Sequence, residues 1–315
     1  AASDPANAGW RRDLSVSHHK IGDVRRDQGD LAGARAAYEA GLAIREELAV
    51  SDPDNAGWQY DLGISHERIG DVRRAQGNLA AALKSYRAKH AIIARLAASD
   101  PANAGWRRDL SVSHTKIGDV RREQGDLAGA RAAYEAALAI AEELAASDPA
   151  NAGWRRDLSV SHDRIGEVRR AQGDLARTLA AYEAALAIRE ELAASDPDNA
   201  GWRRDLSVSH EKIGDVRREQ GDLARALAAY EERHALAEEL AASDPDNARW
   251  QRDLIVSHVK LAMVAKAAGD ASEAVRRYEA ALAVAERMQA EGTLAPRDAW
   301  MLADLRRRLA ALGDG

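Results

Sequence analysis

KIGDVRRDQGDLAGARAAYEAGLAI, residues Lys20–Ile44, holds two helix signatures back to back around one turn. Apolar side chains fall three and four apart up to Gln28. Ile21 and Val24 continue a series begun upstream by Trp10 and Leu14, with Ser17 completing it; that spacing marks one face of a helix. Gly29 is a left-handed C-terminal stop, and Asp30 is a candidate N-cap for the next element. From there the spacing resumes as Leu31, Ala34, Tyr38, Gly41, Ile44 and Leu48. The stretch therefore predicts a helical hairpin, with helices over about 7–28 and 31–49.

The pattern recurs along the whole chain. Trp10, Trp58, Trp106, Trp154, Trp202 and Trp250 lie 48 residues apart, as do Pro5, Pro53, Pro101, Pro149, Pro197 and Pro245. A fixed period in this range marks a stacked-repeat architecture. The expected organisation is 1–290 as six repeats, 3–50, 51–98, 99–146, 147–194, 195–242 and 243–290. The first and third repeats differ at five of 48 positions. Ser51-Asp52-Pro53 closes one repeat and opens the next: a capping residue, then proline where its missing N–H is harmless. Short regular loops predict antiparallel neighbours, and no segment alternates as a strand does. Residues 291–315 read as one capping helix. Pro296 lies near its start, and Trp300, Leu302, Leu305, Leu309 and Leu312 form its apolar side. A terminal helix with a polar outer face covers the last unit of such an array. The other end shows no comparable cap, so further repeats or a domain are expected before it.

The bulk numbers narrow the function. Net charge is −6, from 45 basic and 51 acidic residues among 315, so no general excess of positive charge calls for nucleic acid or an anionic membrane. With no cysteine, thiolate metal sites and disulfides are excluded. No apolar run approaches the ~18 residues of a membrane span. A cytoplasmic protein is expected, with a protein or peptide partner and neither cofactor nor metal.

The quoted stretch resembles the tetratricopeptide repeat. That family's helix-turn-helix has Leu-Gly, a Gly-Asp turn, then Ala, an aromatic and Ala on the second helix. Ile21-Gly22, Gly29-Asp30, Ala34, Tyr38 and Gly41 stand at those places, and the match recurs in all six repeats. It is weakest in the sixth, where Leu261-Ala262 replaces Leu-Gly. The period departs from the family's, 48 against about 34. Two extra helical turns in each hairpin helix account for that, about 10 Å of added length apiece. The tryptophan of the family's first helix would fall at His18. The resemblance implies an all-α, right-handed superhelical solenoid of six hairpins plus the cap, whose concave groove binds peptides or partner proteins.

Chemistry is sparse. Asp13, Ser17 and His18 do not form a triad, because adjacent residues of a helix do not face one another. Stacked first helices stand 8–10 Å apart, so His18, His66, His114, His162, His210 and His258 make a ladder whose rungs cannot share a zinc ion with ~2 Å bonds. They read instead as packing rungs, and the tryptophans as core. Mid-helix Gly22 and its counterparts cost roughly 1 kcal/mol each against alanine, which points to a close approach by the paired helix. What varies among near-identical copies is the residue after the histidine: His19, Glu67, Thr115, Asp163, Glu211 and Val259. By the family mapping it points into the groove. The expected partner-binding set is Arg12, His19, Asp23, Arg26, Tyr60, Glu67, Arg74, Thr115, Arg122, Asp163, Arg170, Glu211 and Arg218. A solvated face of Asp–Arg pairs at helical spacing accounts for the arginines equally well. Lys89-His90 and Arg233-His234 interrupt the second helices where other repeats have small or leucine residues, either opening the seam or serving a convex-face contact. The leading reading is a non-enzymatic interaction scaffold. The alternatives are the sensor arm of a larger signalling protein, or a structural array without a ligand.

Overall fold

The computed structural model describes residues 7–313, which are built from helices alone. The chain divides into two compact units, 1–172 and 173–315. The first holds α1 (Ala8–Asp27), α2 (Leu31–Ser51), α3 (Ala56–Ala75), α4 (Leu79–Ser99), α5 (Ala104–Glu123), α6 (Leu127–Ser147) and α7 (Ala152–Ala171). The second holds α8 (Leu175–Ser195), α9 (Ala200–Glu219), α10 (Leu223–Ser243), α11 (Ala248–Ala267), α12 (Ala271–Ala290), a 3-10 turn (Pro296–Asp298) and α13 (Trp300–Gly313). The fold is an all-α helical-repeat solenoid. The unit boundary falls at the glycine turn between α7 and α8, where the sequence showed no change of pattern.

Each helix end has a local cause. Asn7 caps α1 by accepting from the Trp10 N–H at 3.0 Å, and Asn55 does the same for α3 with Trp58 at 3.1 Å. These asparagines are the N-caps. The Ser-Asp-Pro expected in that role behaves otherwise: Ser51 ends α2, its hydroxyl donating to the Leu48 carbonyl at 2.7 Å. Pro5 lies outside the described residues. Gly29 has φ +83°, a left-handed conformation that closes α1 at little cost only for glycine. Asp30 then caps α2 by accepting from the Gly33 N–H at 2.8 Å.

Buried clusters join each repeat to the next. Ala34 and Tyr38 of α2 pack on Ile69 and Val72 of α3. Ala82 and Tyr86 of α4 meet Ile117 and Val120 of α5. In the second unit, Leu179 and Tyr182 meet Ile213 and Val216, and Ala226 and Tyr230 meet Leu261 and Val264. Every one of these tyrosines is fully buried. Burying each of the larger aliphatic side chains contributes roughly 1.5–3 kcal/mol. Gly22 explains the tyrosine's place: a Cβ there would collide with the Tyr38 ring, and Gly70 stands in the same relation to Tyr86. The close approach comes from a ring rather than from a helix backbone. The hydroxyls keep polar partners, Tyr38 donating to Asp23 at 2.7 Å and Tyr86 to Asp71 at 2.6 Å.

Two expectations about aromatic packing need correction. The tryptophans are half-buried or exposed, because each sits in the first turn of its helix, at the rim of the stack. On α13, Met301, Leu302 and Leu305 enter a cluster with Ile255, Tyr278 and Met288, and Leu309 and Leu312 flank it. Trp300 stays exposed. It lies two residues from Leu302, about 200° around the helix, so both cannot face inward.

Candidate functional site

The expected site residues separate into two environments. The arginines lie on the face of the first helices and are tied into ion pairs that run between repeats. Arg12 Nε donates to Asp61 at 2.6 Å, Arg108 binds Asp157, and Arg204 Nε donates to Asp253 at 2.6 Å. Arg74 reaches Asp119 at 3.4 Å and also Glu123, and Arg122 reaches Glu167 at 3.8 Å. Arg26 pairs locally with Asp27 at 3.0 Å and Asp23 at 3.6 Å. Arg170 is half-buried and engaged, while Arg218 is half-buried beside Tyr230. Asp23 also faces Arg68 at 3.5 Å. Burial, with Asp109 nearby, pushes the half-buried Tyr60 phenol up to about 12. Most of these pairs therefore staple neighbouring repeats, rather than decorating one helix at three- or four-residue spacing.

The variable position has a different home. His19 is buried, not on the expected face. Its Nε2 is 2.9 Å from Ser65 Oγ, and its ring meets Tyr38 edge-on with centroids 5.6 Å apart. Burial, then Arg45, pushes it down to about 4. Thr115 Oγ1 donates to the Ser111 carbonyl at 3.1 Å, and Asp163 is buried. Glu67 binds Lys89, and Glu211 accepts from Arg233 Nε at 2.9 Å. His19, Glu67 and Glu211 thus face the second helix of their own repeat, and its residues complement theirs. Gly41 is small because His19 Cδ2 would lie 2.7 Å from a Cβ there. Lys89 and Arg233 carry a charge because Glu67 and Glu211 do.

The neighbouring irregularity is resolved in the same way. His90 meets His114 of the next repeat edge-on, with centroids 4.5 Å apart and Nε2 atoms 3.2 Å apart. His234 meets His258 with centroids 4.4 Å apart. Burial, then the partner imidazole, pushes His114 and His258 down to about 4. These are helix-two to helix-one pairs. Among the described residues no group of three or more His, Asp or Glu side chains is arranged to hold a metal ion. No described helix is both long and apolar enough to cross a membrane.

Sequence reasoning missed Arg45 and Arg189. Both occupy the place one turn beyond Gly41 and Ala185, and both are buried. It also missed a cavity of about 340 Å³ between α5 and α7, floored by Ala141 and Leu144. The five differences between the first and third repeats were the available signal: three of them, at 19, 41 and 45, cluster here.

A sequence profile of the tetratricopeptide repeat matches residues 112–144. No curated protein matches the sequence. Among solved structures, the chain is similar to BtubC (BKLC) from P. vanneervenii, with 18% identity over 82% of this chain and 92% of that one and a TM-score of 0.63. A Podosopora anserina putative kinesin light chain with nearly identical TPR-like repeats gives 15% identity over 74% and 98%, with a TM-score of 0.54. The apo form of RapI gives 13% identity over 94% and 99%, with a TM-score of 0.53. At these identities the likeness concerns fold, and it agrees with the helix-turn-helix read from the residues themselves: residues 112–144 match the tetratricopeptide repeat, and the chain is similar in fold to structures built of such repeats.

Proposed function

We propose that the chain is a protein-interaction scaffold that binds an extended segment of a partner along the face of its first helices. One observation carries the reading. Arg12 and Arg108 are half in solvent while one edge of each guanidinium is held by the carboxylate of the next repeat. A held guanidinium keeps its free N–H groups aimed outward at reduced entropic cost. Rows of such donors suit the backbone carbonyls of a docked chain. The tetratricopeptide resemblance points to the same class of partner.

The test is a peptide array probed with the wild type and with an Arg12→Ala, Arg108→Ala double variant. Circular dichroism would confirm that the variant folds. Captured peptides should lose at least tenfold in affinity. Retention of every captured peptide would refute the proposed face.

A further inference from the structure

Five seams join a second helix to the first helix of the next repeat: α2/α3, α4/α5, α6/α7, α8/α9 and α10/α11. Two second-helix positions supply each one: Gly41 and Arg45, Lys89 and Ile93, Ala137 and Ala141, Ala185 and Arg189, Arg233 and Ala237. Four of these second helices therefore carry one buried cation of the chain itself, which reaches the next repeat at Arg45, Arg189 and Arg233 and meets Glu67 of its own repeat at Lys89. Arg45, Lys89, Arg189 and Arg233 are 5%, 2%, 4% and 3% exposed. Burying a cation is expensive unless acceptors surround it, so each of these seams is a built cation site. At α6/α7 both positions are alanine, and the cavity lies there.

The α2/α3 seam shows what such a space holds. Arg45 Nε donates to Ser15 Oγ at 3.0 Å, and its Nη1 donates to the Asp61 carbonyl at 2.7 Å and to Ser65 Oγ at 3.1 Å. Two repeats along, the same positions are Ser111, Asp157 and Ser161, and all three line the cavity. The Ser111 hydroxyl donates to the Ala137 carbonyl at 2.9 Å and that of Ser161 to the Asp157 carbonyl at 3.0 Å. Each hydroxyl oxygen so engaged still has lone pairs to accept with. Only the occupant differs: Ala141 stands where Arg45 would be.

The basic residues around the cavity do not argue for an anion. Arg108 is bound to Asp157, Arg74 to Glu123, Lys116 to Asp71 at 2.7 Å and Arg164 to Glu167 at 2.9 Å. Arg12, the counterpart of Arg108, opposes the Arg45 charge, yet Arg45 keeps its hydrogen bonds to Ser15, Asp61 and Ser65. The cavity volume lies at the low end of the roughly 300–1,000 Å³ of ligand pockets, a size for one side chain rather than a peptide fold.

We propose that the α6/α7 cavity is a guanidinium site, filled by an arginine side chain of a partner polypeptide. Only the polypeptide source rests on the scaffold reading; the cavity chemistry stands apart from it. The probe is N-acetyl-arginine amide titrated into the whole chain by NMR, with N-acetyl-citrulline amide as the neutral isostere and inorganic phosphate as the anion. The arginine probe should shift Ser111, Thr115 and Ser161 and bind at least tenfold more tightly than citrulline. Ala141→Arg, which supplies its own guanidinium as Arg45 does, should remove binding. If that variant does not fold, a Ser111→Ala, Ser161→Ala double variant leaves the cavity open and should weaken the arginine probe at least tenfold. Equal binding of citrulline, phosphate in place of arginine, or arginine binding unchanged by these variants would overturn the proposal. A peptide library separates the two readings. Peptides captured without arginine preference sink the cavity site and leave the scaffold; arginine amide bound with no peptide captured does the reverse.

Discussion

Helices α1 and α3 carry nearly the same apolar side: Trp10, Leu14, Ile21 and Val24 in one, Trp58, Leu62, Ile69 and Val72 in the other. Ile21 and Val24 are 48% and 57% exposed, whereas Ile69 and Val72 are each 1% exposed. What differs is α2, whose Ala34 and Tyr38 cover α3; no described helix stands before α1 to do the same. An amphipathic pattern specifies which side a helix would bury, and the preceding repeat decides whether it does. Beyond α12 the same logic holds in reverse, since α13 shields Tyr278 and Met288.

The strongest way to break this comparison is to shorten the same letter in both helices. Ile69→Ala should cost about 3 kcal/mol, because it removes buried methyls and leaves a gap against Tyr38. Ile21→Ala should cost about 0.5 kcal/mol or less, as surface changes do. Urea unfolding at constant pH measures both, and equal losses would show that α1 is covered after all. A smaller effect sharpens the account of the variable position. Gly41→Ala should cost roughly 1–2 kcal/mol by forcing the His19 ring aside. Adding His19→Thr recreates the Thr115 and Ala137 pairing of the third repeat and should recover most of the loss. A double-mutant cycle without coupling would sever the two positions.

A further effect, smaller than that of Ile69→Ala, concerns pH. In the folded chain His19 is pushed down to about 4 by burial and by Arg45 and Arg68, against Asp23 and Asp61. Its unfolded value is near 6.5. Between these values the unfolded chain binds the proton and the folded chain does not, so stability falls as pH drops from about 6.5 to 4. The contribution is on the order of 1 kcal/mol, below the full linkage value because solvent partly reaches the seam. His19→Gln should flatten the wild-type profile in that window; an unchanged slope would mean that other groups cause it.

Much of this was legible in the letters. The 48-residue period, the alternation of helices and the left-handed glycines follow from local spacing. Asparagine caps were overlooked because Ser-Asp-Pro offered a more familiar start signal. The variable residue was placed in the groove because the tetratricopeptide mapping puts it there, while the side chain that meets it lies on the other helix of the hairpin. Lys89 and Arg233 read as breaks in an apolar face and Arg45 and Arg189 were missed, since a lone charge on a buried side has no visible partner along its own helix.

The amino-acid sequence by itself determined where each helix begins and ends and which side of it is apolar, because those depend on residues within about one turn of each other. Only the tertiary structure decided who pairs with whom. Glu67 with Lys89, His90 with His114 and Arg45 with Ser15, Asp61 and Ser65 join residues 16 to 30 apart. Their meeting depends on the register between packed helices, which periodicity along one chain leaves open. That register also left the α6/α7 seam without the cation its neighbours contain, a difference of one side chain at Ala141.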